Sequence, residues 1–401
     1  MLYRENFTPW KMLIVLFILQ AFVALIGRSI SPLGVVIGED LSLTKTQIGM
    51  LPAAFFVGQS LNSIPSGLMT DRIGSKKMII VIVLLTGLSF LFATLSLYYS
   101  LLLLFLFLGG AGYGAMHPAA NRGVLYWFPK EKLGTAMGIK QTGVTIGSAL
   151  SALILLPLAN EFGWRTVVGI ASMCLIIYGS IAYKMYFEPK SVSANQKKVT
   201  IEEYIKRLLA VVKHRTLLLI SISAMGLSAG QMILNTYIVL FAFEHLGYTI
   251  FLSGLLLVIS EVSGSSGRIL WGMISDRLFA GKRIIVMIII TIFAGSQAFI
   301  LSVLPEGFPF LLVGMIVVIL GFCISGFNGI WMNAATEVVP KEQSGASSGF
   351  SIMVGTMGVL VGPPIFGMVV DLTGGYSFGW IYFTILMMFV FIILSVTRKI
   401  N

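Results

Sequence analysis

Apolar residues run for about 20 positions at a time along almost the whole chain, until a charge or a Gly- and Pro-marked break interrupts them. A helix needs a run of that length to cross a bilayer core, so each run predicts one spanning helix. Twelve such runs predict an all-α membrane protein. One stretch breaks the rhythm: 188–214 is polar and carries Lys190, Lys197, Lys198, Lys206, Arg207 and Lys213. It divides the chain into a six-helix bundle over 1–187, a cytoplasmic linker over 188–214 and a second six-helix bundle over 215–401. The first run follows Met1-Leu2-Tyr3-Arg4-Glu5 with no small-residue cleavage site behind it, so it is expected to remain a span.

Composition strengthens this picture. Of 401 residues, 57% are hydrophobic and 11% charged, where soluble proteins carry roughly a quarter charged residues. A soluble fold is excluded. The formal charge of +11 comes from 27 Lys and Arg against 16 acids. If the N-terminus is cytoplasmic, all the basic residues except Lys45, Arg165 and four inside spans fall on the cytoplasmic side. The positive-inside rule then places both termini in the cytoplasm, for a protein of the plasma (inner) membrane. The same distribution explains the basic character through anionic lipid and leaves no role for nucleic acid. Cys174 and Cys323 lie within apolar runs and the three histidines lie far apart, so no metal site is expected. No nucleophile triad, phosphate loop or dinucleotide fingerprint appears, which argues against an enzyme and against a cofactor.

The two halves carry the same punctuation. After the second run the chain reads Gly67-Leu-Met-Thr-Asp71-Arg72-Ile-Gly74-Ser-Lys76-Lys77, and after the eighth Gly272-Met-Ile-Ser-Asp276-Arg277-Leu-Phe-Ala-Gly281-Lys282-Arg283. Pro129-Lys130-Glu131 is likewise echoed by Pro340-Lys341-Glu342. A duplicated six-helix unit follows. The Gly-x-x-x-Asp-Arg loop in both halves resembles the signature loop of the major facilitator superfamily. That resemblance implies two pseudo-symmetric bundles that expose a central site to each side in turn, in a chain that works as a monomer. It makes Asp71, Arg72, Asp276 and Arg277 cytoplasmic gate residues, with Arg122, near the inner end of the fourth span, a partner for Asp71.

An ionisable group deep in a span costs at least about 2.5 kcal/mol, so each needs a reason. Arg28, Arg122, Lys140 and Arg268 are the cations, Glu261 is the one acid, and His117 is titratable. Four cations against one acid would leave positive charge uncompensated in a low dielectric unless an anion enters. An anionic substrate is the expected counter-charge. Ser266-Gly267-Arg268-Ile269-Leu270-Trp271-Gly272 resembles the Gly-Arg-x-x-Trp-Gly stretch of oxalate:formate antiporter-like and related monocarboxylate transporters, which implies that Arg268 binds a substrate carboxylate. A snorkelling arginine is the other reading. Glu261 lies two turns before Arg268 on the same face and reads either as its ion-pair partner or as a proton-coupling group. Arg28, Lys140 and His117 are further substrate-binding candidates. The uncharged Gln231, Asn235 and Asn328 could orient a carboxylate or hydroxyl, or could join helices.

The expected function is secondary active transport of a small organic anion, a carboxylate, in symport with protons. Three alternatives stay open: an inorganic oxyanion (nitrate, nitrite or cyanate) transporter or exchanger, a drug/proton antiporter, and a transport-dead sensor. The drug antiporter fits least, because the fifth span lacks the Gly-Pro-x-x-Gly-Gly element usual in such proteins and four buried cations suit anions.

Overall fold

In the computed structural model, residues 8–188, 214–340 and 343–400 are described, and these are helical, with no strand among them. Eleven helices among the described residues are long and apolar enough to cross a membrane. The count reaches twelve through Lys45–Val83, which leaves helical geometry at Gly74 (φ 86°, ψ 164°) and so forms two limbs, spans two and three. Span one is Pro9–Asp40, span four Tyr99–Trp127, span five Lys130–Leu150 and span six Trp164–Met185. Span seven is Arg215–Leu240, span eight Ile250–Leu278 and span nine Arg283–Ser302. Span ten comes in two pieces, Phe310–Ile324 and Asn328–Glu337; span eleven is Ser344–Thr373 and span twelve Tyr376–Ile400. Single π-helical turns at Leu84–Leu88, Ser151–Leu155 and Phe241–His245 continue spans three, five and seven.

Local chemistry sets the ends. Thr8 accepts from the Lys11 amide at 3.4 Å ahead of Pro9, the position where a proline's missing N–H costs a helix nothing. Thr44 and Gln47 form a reciprocal capping pair at the start of span two, with bonds of 3.0 and 3.2 Å. Gly374 closes span eleven in the left-handed region (φ 74°).

The lipid-facing pattern is plain on span twelve. Ile385, Met388, Phe389 and Ile392 are exposed at helical spacing, whereas Phe383, Met387, Val390 and Leu394 are buried. Both stripes are apolar because the solvent on the outer side is hydrocarbon.

Contacts divide the chain into two compact units: Met1–Leu41 with Ala54–Gln196, and Ser42–Ala53 with Lys197–Asn401. In the first unit, spans one and five pack along each other. Span four crosses span two so closely that a Cβ on Gly110 would lie 1.9 Å from the Phe55 carbonyl oxygen. In the second unit spans seven and eleven make the main pairing. There a Cβ on Gly358 would lie 1.8 Å from the Met225 carbonyl oxygen. The glycines are what let these backbones touch.

Ser42–Ala53 belongs with the second unit, whereas the sequence division at 187 puts it with the first. The reason is a set of polar contacts within that unit. The Asp371 carboxylate accepts from the Lys45 and Thr46 amides, each at 2.8 Å, and from the Thr46 hydroxyl at 2.6 Å, which caps the start of span two. Lys45 pairs with Glu244 at 2.6 Å, and Tyr376 donates to the same carboxylate at 2.8 Å. Replacing Asp371 by Ala strands two amides and removes a negative charge from a helix N-terminus. The expected loss is about 1 kcal/mol, read as a lower melting temperature; an unchanged one would show that the cap contributes nothing.

The linker expected over 188–214 lies outside the described residues apart from its ends. Glu188 accepts from the Ser75 and Lys76 amides at 3.1 and 3.0 Å, capping the helix that restarts after Gly74. His214 accepts from the Leu217 amide at 3.3 Å at the start of span seven.

Candidate functional site

In the first unit, three of the expected site residues come together from three spans. Lys140 of span five is 2% exposed. Its ammonium donates to Asn121 Oδ1 of span four at 2.8 Å, and among the described residues it makes no ion pair. His117 lies one turn before Asn121 and within Coulombic range of both Lys140 and Arg28. Arg28 of span one holds its guanidinium 5.5 Å from the centroid of the Phe56 ring, a cation–π distance. His117 in turn meets Tyr113 edge-on, with ring centroids 6.1 Å apart. Phe56 and Tyr113 are absent from the sequence expectation. Tyr113 stands four residues before His117 and could be found by helical spacing, but only the fold sets Phe56 beside Arg28.

The remaining charged span residue of that unit is engaged elsewhere. Arg122 donates to Asp71 at 2.6 Å and also bonds the Tyr126 hydroxyl. Asp71 is 64% exposed and Arg72 is exposed beside it. The second unit does not repeat this pair, because Asn333 stands where the repeat would put Arg122. Asp276 is paired at 2.5 Å with Arg283, which also reaches Glu337 at 3.2 Å, and Arg277 is exposed.

The second unit gathers the other candidates on spans seven, eight and ten. Asn235 donates to the buried Glu261 carboxylate at 3.3 Å. Asn328 donates to Gln231 Oε1 at 3.4 Å and to the Ser325 carbonyl at 3.3 Å. That carbonyl also accepts from Arg268 Nε at 3.1 Å. Sequence reasoning missed this bond, although the turn-favouring pairs Ser325-Gly326 and Asn328-Gly329 stand where the helix stops at Ile324 and restarts at Asn328. Chemically, the first unit offers cations and an aromatic wall, and the second offers amides, one carboxylate and one guanidinium. Among the described residues no three His, Cys, Asp or Glu side chains are grouped to hold a metal.

The sequence model of the Major Facilitator Superfamily matches residues 16–363. The chain belongs to this superfamily. Among its curated relatives in the superfamily is a hexuronate transporter of Bacillus subtilis, 23% identical, with 92% of this chain and 90% of that one covered. Another is the Escherichia coli protein named "Probable galactarate/D-glucarate transporter GudP", 26% identical over 94% of this chain and 90% of its own. Among solved structures, a bacterial homologue of the human lysosomal transporter Spinster aligns with a TM-score of 0.84 at 17% identity, covering 99% of this chain and 98% of its own. The nucleoside transporter NupG aligns with a TM-score of 0.80 at 15% identity, covering 98% of this chain and 99% of its own. At such identities the structural likeness carries the superfamily's fold alone. These relatives are transporters, and the chain is a membrane transporter, not an enzyme.

Proposed function

We propose that the protein carries a small organic anion, a carboxylate, across the plasma membrane in symport with protons. One observation bears most of the weight: Lys140 is buried with no ion pair among the described residues, and His117 lies within electrostatic reach of both Lys140 and Arg28. A desolvated ammonium held by one neutral amide is unfavourable, and an incoming carboxylate relieves it. The relatives named for hexuronate and for galactarate/D-glucarate favour the same class, since both cargoes are carboxylates.

In this reading Arg28, Lys140 and His117 are the substrate-binding residues of the first unit, and Arg268 is the second unit's cation for a carboxylate. Gln231, Asn235 and Asn328 orient its polar groups, and Glu261, hydrogen-bonded to Asn235, carries the proton. Asp71, Arg72, Arg122, Asp276 and Arg277 work the cytoplasmic gate, both termini face the cytoplasm and one chain suffices. The test is uptake of labelled glucuronate and galactarate into proteoliposomes under an imposed pH gradient. Accumulation is expected when the outside is acidic, and should collapse when a protonophore is added. If none of a panel of organic anions is taken up, the substrate class is wrong; uptake indifferent to the gradient would refute proton coupling alone.

A further inference from the structure

Span ten is a broken helix. Its first piece ends at Ile324, where the Ser325 amide still donates to the Gly321 carbonyl at 2.9 Å, and its second starts at Asn328. A helix that stops leaves its last carbonyls without the amide partners a continuing helix would supply, and within a bilayer no water replaces them. Two such carbonyls take their donors from span eight. Trp271 Nε1 donates to the Phe322 carbonyl at 3.0 Å, and Arg268 Nε donates to the Ser325 carbonyl at 3.1 Å.

Arg268 and Trp271 are three residues apart, so they share one face of span eight. The carbonyls they reach, Phe322 and Ser325, are three apart as well. Gly267 makes the approach possible, since a Cβ there would lie 2.3 Å from the Phe322 oxygen. The Trp271 ring packs on Phe322 with centroids 5.2 Å apart and is 6% exposed. Between the two bonded carbonyls sits Cys323, a free thiol that is 1% exposed.

We propose that Trp271 is a positioning residue: with Arg268 it brackets the break in span ten, fixes the direction in which the guanidinium points, and so couples anion binding at Arg268 to the freedom of span ten. The coupling clause rests on the reading of Arg268 as an anion ligand; the bracket itself does not. The Arg-x-x-Trp spacing gains a physical reason from this geometry, because the arginine and the indole must span one helical turn of carbonyls.

Cys323 is a built-in reporter. The experiment follows its alkylation by N-ethylmaleimide in a Cys174→Ser background, in the full-length protein in lipid. Trp271→Phe keeps an aromatic ring and loses the N–H, together with part of the ring volume, a loss that Trp127→Phe matches at an equally buried site. It is expected to speed alkylation about fivefold, the factor by which losing one neutral hydrogen bond shifts a local opening equilibrium. Trp127→Phe removes an indole bond to a carbonyl in the other unit, that of Phe187 at 3.1 Å, and should leave the rate unchanged. Asn328→Ala, which removes the second donor to the Ser325 carbonyl, should give a smaller rise in the same direction and serves if the Trp271 variant does not fold.

In uptake assays Trp271→Phe should raise KM for glucuronate with little change in maximal rate, as misdirection of a ligand predicts and general destabilisation does not. Saturating glucuronate should change the Cys323 rate in the parent and not in Trp271→Phe. Equal alkylation rates in parent, Trp271→Phe and Asn328→Ala would overturn the bracket. Faster alkylation in the variants with no effect of any anion would uphold the bracket and overturn its coupling to the substrate.

Discussion

Replacing Lys140 by methionine is expected to raise the melting temperature of the purified protein while abolishing its response to organic anions. The two effects share one cause. Lys140 is buried, donates to Asn121 and makes no ion pair among the described residues, so its charge lacks compensation when the site is empty. Methionine fills much the same volume without a charge to desolvate, and exchanges of buried ionic groups for apolar ones are often stabilising by about 1–4 kcal/mol. The anion, however, loses a close charge partner in low dielectric, which costs about 2–5 kcal/mol and thus roughly thirtyfold or more in affinity. Thermal unfolding with and without glucuronate reads both quantities at once, since a ligand that binds only the folded protein stabilises it. A lower melting temperature together with an undiminished ligand shift would sink the idea.

Arg268→Lys is expected to weaken carboxylate binding at least about tenfold, although the charge is kept. Arg268 bonds the Ser325 carbonyl through Nε, and a guanidinium carries five N–H donors in a planar fork that matches a carboxylate. A lysine ammonium is a single point charge on a flexible stem and cannot be anchored and forked at once. Binding of glucuronate to the purified variant, measured calorimetrically, decides the matter; affinity equal to the parent's would refute the bidentate role. The neutral variant, Arg268→Gln, is less informative because it alters charge and anchorage together.

Much of the fold was legible because lipid demands it. Runs of about 20 apolar residues mark spans whatever packs around them, and the paired Asp-Arg loops marked the repeat. The bend at Gly74 could be expected from a Gly in a polar loop, and the pairs Ser325-Gly326 and Asn328-Gly329 mark the break in span ten, which was overlooked because they stand inside an otherwise apolar run. The placement of Ser42–Ala53 escaped notice for a different reason: it depends on Asp371, more than 300 residues away in sequence. In the candidate site, the anomalous charges Arg28, Lys140 and Arg268 were visible because a membrane makes them expensive. Their neutral neighbours were not. Phe56 and the Ser325 carbonyl bear no anomaly of composition, and only tertiary packing gives them a part.

The Glu188 cap has a practical consequence for engineering the protein. This carboxylate closes the helix that restarts after Gly74, and the next segment of the chain is the polar stretch where one would naturally graft a fluorescent reporter or an affinity tag. A graft made directly at Glu188 would remove this cap and tug on the elbow between spans two and three.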